Sequence, residues 1–277
     1  MDGAPSVSHI FIPEGSQGGF TSLDISSASL AVSKRLRIGS GVVRILEHDP
    51  DVLANRLLTL QELSDNRFIL GIGTGRPSKD PKQTIQSMLD RLHSTKKSFE
   101  RFAQGSQLKM PETFIASLRK GITRAVAGHS DGILLNFCPP DHARQLVKSL
   151  GSGATKRPTV SCYLKIFYSK DENTAKRMLV DEFARYDQIP SYHEMFLSAG
   201  VEREIASASS ALRSNVNIHI GEKLLKISLP NPTNRDLANY VGSFRDAGVD
   251  LPCLYPYFET NEDEAFKISK VEMIARL

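Results

Sequence analysis

Cysteine is scarce in this chain of 277 residues, with only Cys138, Cys162 and Cys253. None falls in a CxxC pair, and each lies in or beside an apolar, strand-like run. That spacing argues against a zinc site, and no metal is expected; it predicts buried thiols in a reducing compartment. Long hydrophobic runs are missing as well: no window reaches the length of apolar sequence needed to cross a bilayer. The N-terminus, MDGAPSVSHIF, carries no basic flank and no long apolar run, so it does not read as a signal peptide. Charge of one sign is not in excess either. The 35 Lys and Arg are scattered among 31 Asp and Glu, and the formal charge of +4 makes no case for a nucleic-acid surface. There is no internal repeat and no break in composition. Together these absences predict a soluble, cytoplasmic, single-domain protein spanning residues 1–277, with neither nucleic acid nor membrane as a partner.

What is present is organised around residues 36–75, LRIGSGVVRILEHDPDVLANRLLTLQELSDNRFILGIGTG. Leu36–Val43 and Phe68–Gly73 read as buried strands, and both end in closely spaced glycines. Between them Asp49 can cap free amides and Pro50 has φ already set for a first helical turn. Leu53, Leu57, Leu60 and Leu63 follow at helical spacing, and Asn66 can supply a left-handed exit. Strand, helix, strand in succession predicts two parallel strands of one sheet. Glycines at both strand ends let another group approach the backbone closely, which makes this the place to look for a ligand.

The remainder repeats the alternation. Strands are expected near residues 10, 40, 70, 115, 134, 163 and 253. Helices are expected over 23–33, from Asp80-Pro81, over 118–128, over 141–150, after Asp171, after Thr233 and over 262–277. Residues 191–227 read as mostly helical, interrupted by the apolar VNIHI at 216–220. Residues 93–110 are polar and weakly patterned, and are expected to be an exposed, mobile segment. Seven strands separated by helices predict an α/β protein with a parallel sheet. With no strand that looks like a polar edge, a barrel fits better than an open sheet.

In such folds ligands bind at the carboxyl ends of the strands. Those ends offer Pro13-Glu14-Gly15, Ser40-Gly41-Val42-Val43-Arg44, Gly71-Ile-Gly-Thr-Gly75, Ala116-Ser117-Leu118, Asn136 and Tyr255. The set is rich in small residues and poor in convergent acid–base side chains. It contains no serine nucleophile elbow, HExxH or P-loop lysine, and GIGTG lacks the third glycine of a dinucleotide fingerprint. It suits a large, flat cofactor that brings its own reactivity. Plainer readings stand beside these: GIGTG as a strand-to-loop turn, Glu14 as a solvated loop carboxylate, Arg44 and His48 as surface or cap residues, and His129 as a helix-terminal histidine.

The 36–75 stretch resembles the central signature of the bacterial luciferase-like superfamily. In wording it is closest to the coenzyme F420-dependent branch that includes methylenetetrahydromethanopterin reductase. FIASLRKGITRAVAGHSDGILLNFCPP and FRDAGVDLPCLYP resemble later stretches of that family, so the likeness covers most of residues 9–277. It implies a TIM-type (β/α)8 barrel holding coenzyme F420, or alternatively FMN, at the strand ends. Hydride would pass between the cofactor and an organic small-molecule substrate stacked on it. It implies a non-proline cis peptide at Gly41-Val42 under the ring, beside Ser40, with Gly73, Thr74 and Gly75 flanking the cofactor. Ala116, Ser117 and Leu118 would meet its phosphate at a helix start, where amides are unpaired. Glu14 is the candidate catalytic acid.

The chain departs from the family in one large respect. The strand at Ile10 matches the family's second, so the barrel is expected to be incomplete, with the first strand and helix missing. An open side of that kind calls for cover, and a homodimer is expected. Two rival functions follow from the gap and the sparse acid–base set: a degenerate, non-catalytic flavin-binding or interaction protein of the same fold, and an unrelated phosphate-binding barrel enzyme.

Overall fold

A computed structural model describes residues 4, 6–15, 19–75, 80–151, 157–214 and 218–277. The chain begins with β1 (His9–Ile12), α1 (Ser22–Val32), β2 (Arg37–Ser40) and the two-residue β3 (Val43–Arg44). The central unit then runs through α2 (Pro50–Ser64) into β4 (Phe68–Gly73). The Asp49 carboxylate accepts from the amides of Asp51 and Val52, so the cap-plus-proline start operates as expected. Replacing Asp49 with alanine should cost about 1 kcal/mol, read by chemical denaturation. The exit uses two left-handed residues, Asp65 at φ 51° and Asn66 at φ 61°, rather than Asn66 alone.

One expectation fails next. Residues 93–102 are not a mobile segment; they complete α3 (Pro81–Phe102). Leu92, Thr95, Ser98 and Phe99 put a buried stripe against the core. At the edge of that stripe Asp51 of α2 accepts from Ser98 Oγ at 2.5 Å and from Arg101 at 3.0 Å. Beyond the helix, Lys109 donates its amide to Asn66 Oδ1 at 2.8 Å and its carbonyl accepts from Gln61 Nε2 at 2.7 Å. The local pattern was weak because this helix buries small polar residues together with a few large ones. Residues 76–79, part of the loop expected after Gly75, lie outside the described residues.

The second half continues the alternation with β5 (Glu112–Ala116), α4 (Lys120–Ala127), β6 (Gly132–Asn136), α5 (Pro140–Ser149) and β7 (Thr159–Tyr168). Three helices follow, α6 (Glu172–Asp187), α7 (Pro190–Ala199) and α8 (Glu202–Arg213). After them come the short α9 (Glu222–Leu225), the two-residue β8 (Leu229–Pro230), α10 (Asn234–Asp246), β9 (Leu251–Phe258) and α11 (Glu264–Ile274). Of the VNIHI run, residues 216 and 217 are not described; Ile218–Ile220 leads into α9 without forming a strand. A capping box at Thr233 and Asp236 starts α10, and Gly248 follows it at φ 90°. The last helix is less amphipathic than expected: none of its residues is buried, and Ile268 is 51% exposed.

All strand pairs are parallel, in the order β1-β2-β4-β5-β6-β7, with β9 in an eight-residue register alongside β7 and the two-residue β3 and β8 against β4 and β7. The sheet curls but does not close. Among the described residues no backbone hydrogen bond joins β1 to β9. The fold is therefore the expected TIM-like, incomplete barrel, whose seven principal strands are the seven expected.

Alternation along the strands sorts the side chains into two layers. Val160, Cys162, Leu164 and Ile166 of β7 join the main core with the helices, alongside Leu53, Leu57, Phe68 and Phe99. On the concave face Ile69, Phe114 and Leu134 form a separate cluster with Phe11, Val42, Ala116, Tyr163 and Leu251. Among the described residues no helix is long and apolar enough to cross a membrane, and no group of His, Cys, Asp and Glu could hold a metal ion.

Candidate active site at the strand ends

The break between β2 and β3 places the Gly41-Val42 peptide at the carboxyl end of the sheet, and that peptide is cis. Ser40 is fully buried; its hydroxyl donates to the carbonyl of Gly71 and accepts from the Gly71 amide, both at 2.9 Å, so it ties β2 to β4. The face of Gly41 is taken by the Tyr163 hydroxyl, and a Cβ there would collide with it. Val42 fills the face of Gly73, where a Cβ would stand 2.8 Å from its Cγ2. Thr74 is half-buried, and Gly75, at φ 79°, packs on the stem of Arg44. Arg44 in turn donates to the carbonyl of Gly15 at 2.9 Å, strapping the loop after β1 to this edge. The groups that approach these glycines are thus largely the chain's own Tyr163, Val42 and Arg44.

The other candidates are placed as follows. Ala116 is half-buried at the end of β5. Ser117 is committed inside the protein: its hydroxyl shares a hydrogen bond with Thr123 Oγ1 at 2.8 Å, and its amide donates to the Leu134 carbonyl at 3.0 Å. The Leu118 carbonyl meets His142 Nε2 at 2.9 Å, and burial holds the pKa of that imidazole below its ordinary value. Glu14 accepts from the amide and hydroxyl of Ser22 at 3.0 and 2.5 Å, which puts its carboxylate at the amino end of α1. There it complements the partial positive charge of the helix terminus.

Charge gathers instead on the β7–β9 side, on Lys165 and Glu182, which are not among the residues expected at the strand ends. Lys165 is buried in β7, ion-paired to Glu182 of α6, and donates to Tyr257 Oη at 3.0 Å. Its ammonium lies 3.9 Å from the Tyr186 ring centroid and 4.8 Å from that of Phe137. Burial works to raise the Glu182 pKa, but hydrogen bonds from Arg185 and the Lys165 charge outweigh it and hold the carboxyl below its usual range. Burial raises the pKa of Tyr163, Tyr255 and Tyr257, so all three stay protonated near neutrality. The available signal was a lone lysine inside the apolar run SCYLKIFY.

Between the Arg44 strap and this cluster, Gly41, Val42, Ala116, Asn136, Tyr163 and Tyr255 are all half-buried. Two buried atoms of this group, on register neighbours of β6 and β7, have no partner among the described residues: Tyr163 Oη and Asn136 Oδ1. The Asn136 amide nitrogen, by contrast, donates to Tyr192 Oη at 2.7 Å and to Tyr186 Oη at 3.2 Å. Buried polar atoms left this way call for a partner. An apolar floor with hydrogen-bonding atoms at its rim fits a flat ring system with polar edges.

The sequence model of the Luciferase-like monooxygenase family matches residues 6–217. The chain belongs to that family. Its fold is similar to coenzyme F420-dependent tetrahydromethanopterin reductase from Methanopyrus kandleri, with a TM-score of 0.67 at 12% identity over 97% of this chain and 89% of that one. It is also similar to the oxygenating constituent of 3,6-diketocamphane monooxygenase from Pseudomonas putida, solved in complex with FMN. There the TM-score is 0.63 at 13% identity, over 99% and 88% of the two chains. Limonene 1,2-monooxygenase from Rhodococcus erythropolis is 33% identical over 74 residues, a match spanning 27% of this chain and 19% of that protein. Identities this low between whole chains carry the fold alone.

Proposed function

We propose that this luciferase-like family member is an oxidoreductase that transfers hydride between a deazaflavin (F420) or flavin (FMN) and an organic small molecule. The observation that carries the reading is the pair of buried atoms without partners among the described residues, the Tyr163 hydroxyl standing over Gly41 and the Asn136 carbonyl oxygen on the neighbouring strand. The cofactor, when bound, supplies the hydride chemistry. Ser40, Gly41 and Val42 would form the floor under its ring, with Gly73, Thr74 and Gly75 along one side. Ala116 and Leu118 would face its phosphate with backbone; the Ser117 hydroxyl has to leave Thr123 to take part. Tyr163 would donate to a ring or substrate oxygen. Glu14 is the proposed proton donor, and Ser22 holds it in place. Aromatic side chains from β9, α6 and α7 keep water from the deep side. A homodimer that covers the open side of the sheet belongs to the same proposal.

The test is titration of the purified protein with F420 and with FMN, followed by cofactor fluorescence. Saturable binding of one of them, and its substrate-dependent reoxidation, is the expected result; binding of neither overturns the reading. The occupation of the glycine faces by Tyr163, Val42 and Arg44 favours a second reading, a degenerate member that binds a flavin-like ligand without turnover. A stable complex with no reoxidation by any substrate would select it.

A further inference from the structure

Two of the three thiols stand side by side where β6 leaves the sheet. Asn136, the last residue of β6, pairs in register with Tyr163 of β7. The next residue, Phe137, takes a left-handed φ of 51°, a conformation that bulky side chains seldom adopt. Its amide donates to the Tyr163 carbonyl at 3.3 Å, and its ring packs against Phe183, Tyr186 and Phe196. Cys138 follows this turn, and its Sγ lies 3.8 Å from Sγ of Cys162 on β7. Both residues are sealed from solvent, at 1% and 0% exposure.

The third cysteine is kept out of this pair by the face it occupies. Side chains alternate along a strand, and Cys253 of β9 is the register partner of Tyr163. Cys253 therefore shares the concave side with Tyr163, where its Sγ meets Ser161 Oγ at 3.2 Å and the Leu251 carbonyl at 3.5 Å. Cys138 and Cys162 belong to the core on the opposite, helix-covered side. The sulfurs of a disulfide stand about 2.05 Å apart, so those of Cys138 and Cys162 have to close by about 1.8 Å. Cys138 lies on the turn beyond the ladder, between β6 and α5, and that turn can supply the movement.

We propose that Cys138 and Cys162 are a redox pair that closes into a disulfide between the exit of β6 and β7, with hydrogen peroxide as the oxidant. One thiolate takes an oxygen atom from the peroxide as hydroxide leaves, which forms a sulfenic acid. The second thiolate attacks that sulfur, and a second hydroxide leaves. In sum, two thiols lose two electrons and two protons, and one peroxide becomes two waters. Burial raises the Cys162 pKa, so its thiolate is scarce near neutrality and the reaction is slow. The closed pair draws the Phe137 turn towards β7, and with it Asn136, whose amide nitrogen is held by Tyr186 and Tyr192. Oxidation state is thereby coupled to the end of β6. The pairing does not rest on the function proposed above.

The test treats the reduced full chain with hydrogen peroxide, unfolds it in excess N-ethylmaleimide and maps its peptides by mass. The expected product keeps one alkylated cysteine, Cys253, and links Cys138 to Cys162 with the loss of two hydrogens. Dithiothreitol should restore alkylation at all three cysteines. In the folded chain this link should exceed any link to Cys253 at least tenfold. The excess should be much smaller when the oxidation is run in urea, where loop length alone selects the pair. Cys253→Ser should leave the link in place, and Cys138→Ser should leave no link within the chain. Mapping of the wild-type chain keeps the test decisive if either variant fails to fold. Three free thiols after peroxide, sulfinic acid without a link, a dominant link to Cys253, or a link between two chains each overturns the proposal.

Discussion

Replacing Glu182 with leucine should lower stability by about 3–5 kcal/mol near neutral pH, read by urea denaturation. The size follows from what stays behind. Lys165 has 1% of its side chain exposed, and Glu182 is its counter-ion in that environment. Without the carboxylate, the ammonium keeps the Tyr257 hydroxyl and the faces of Tyr186 and Phe137, which are far weaker partners than an anion. Tyr257, which donates to Glu182 at 3.0 Å, loses its acceptor at the same time. Replacing both partners, as Lys165→Met with Glu182→Leu, should recover most of the loss, because the pair as a whole repays little more than its desolvation.

The same pair gives an acid signature. The folded-state pKa of Glu182 lies below its unfolded value, so its contribution is complete above the usual carboxylate range, about pH 4, and is lost as pH falls through the depressed value. Denaturation of the leucine variant should therefore depend less steeply on acid than that of the wild type.

Gly71→Ala is expected to cost about 3 kcal/mol, again by denaturation, through overpacking between strands. Gly71 is buried in β4, and an added Cβ would run into the backbone carbonyl of Ser40 on β2 and reach 3.0 Å from Leu134 on the other side. Ser40 also clamps Gly71 through two hydrogen bonds, so β2 and β4 cannot separate without breaking both. Gly41 is different in kind: what stands in its way is the tip of the Tyr163 side chain, which can turn aside. An unchanged midpoint for Gly71→Ala would mean that β2 and β4 part more easily than this clamp implies.

Much of the fold and part of the site are legible in the residues because they depend on short-range physics. Asp49, Asp80, Asp171 and Thr233 cap helices two or three positions onward in the chain, and Leu53, Leu57 and Leu60 report helical periodicity within one element. The cis peptide at Gly41-Val42 was expected from the likeness of a continuous motif. The site is less legible, since only strand position and family likeness point to its residues. Nothing local says that the Ser117 hydroxyl turns to Thr123, or that Glu14 settles on the head of α1.

Residues 36–75 by themselves determine a strand–helix–strand unit with parallel strands, caps at both helix ends and a glycine-lined edge. Tertiary structure alone decided what fills that edge. Tyr163 reaches Gly41 from β7, a strand 122 positions later in the chain (163 − 41), because the sheet curls and brings the two concave faces together. In the same way Phe99 holds α3 helical through packing against the core, and Lys165 acquires Glu182, Tyr257 and the rings around it from separate elements. Whether β1 meets β9 is a matter of closure for the whole sheet, and no single strand encodes it.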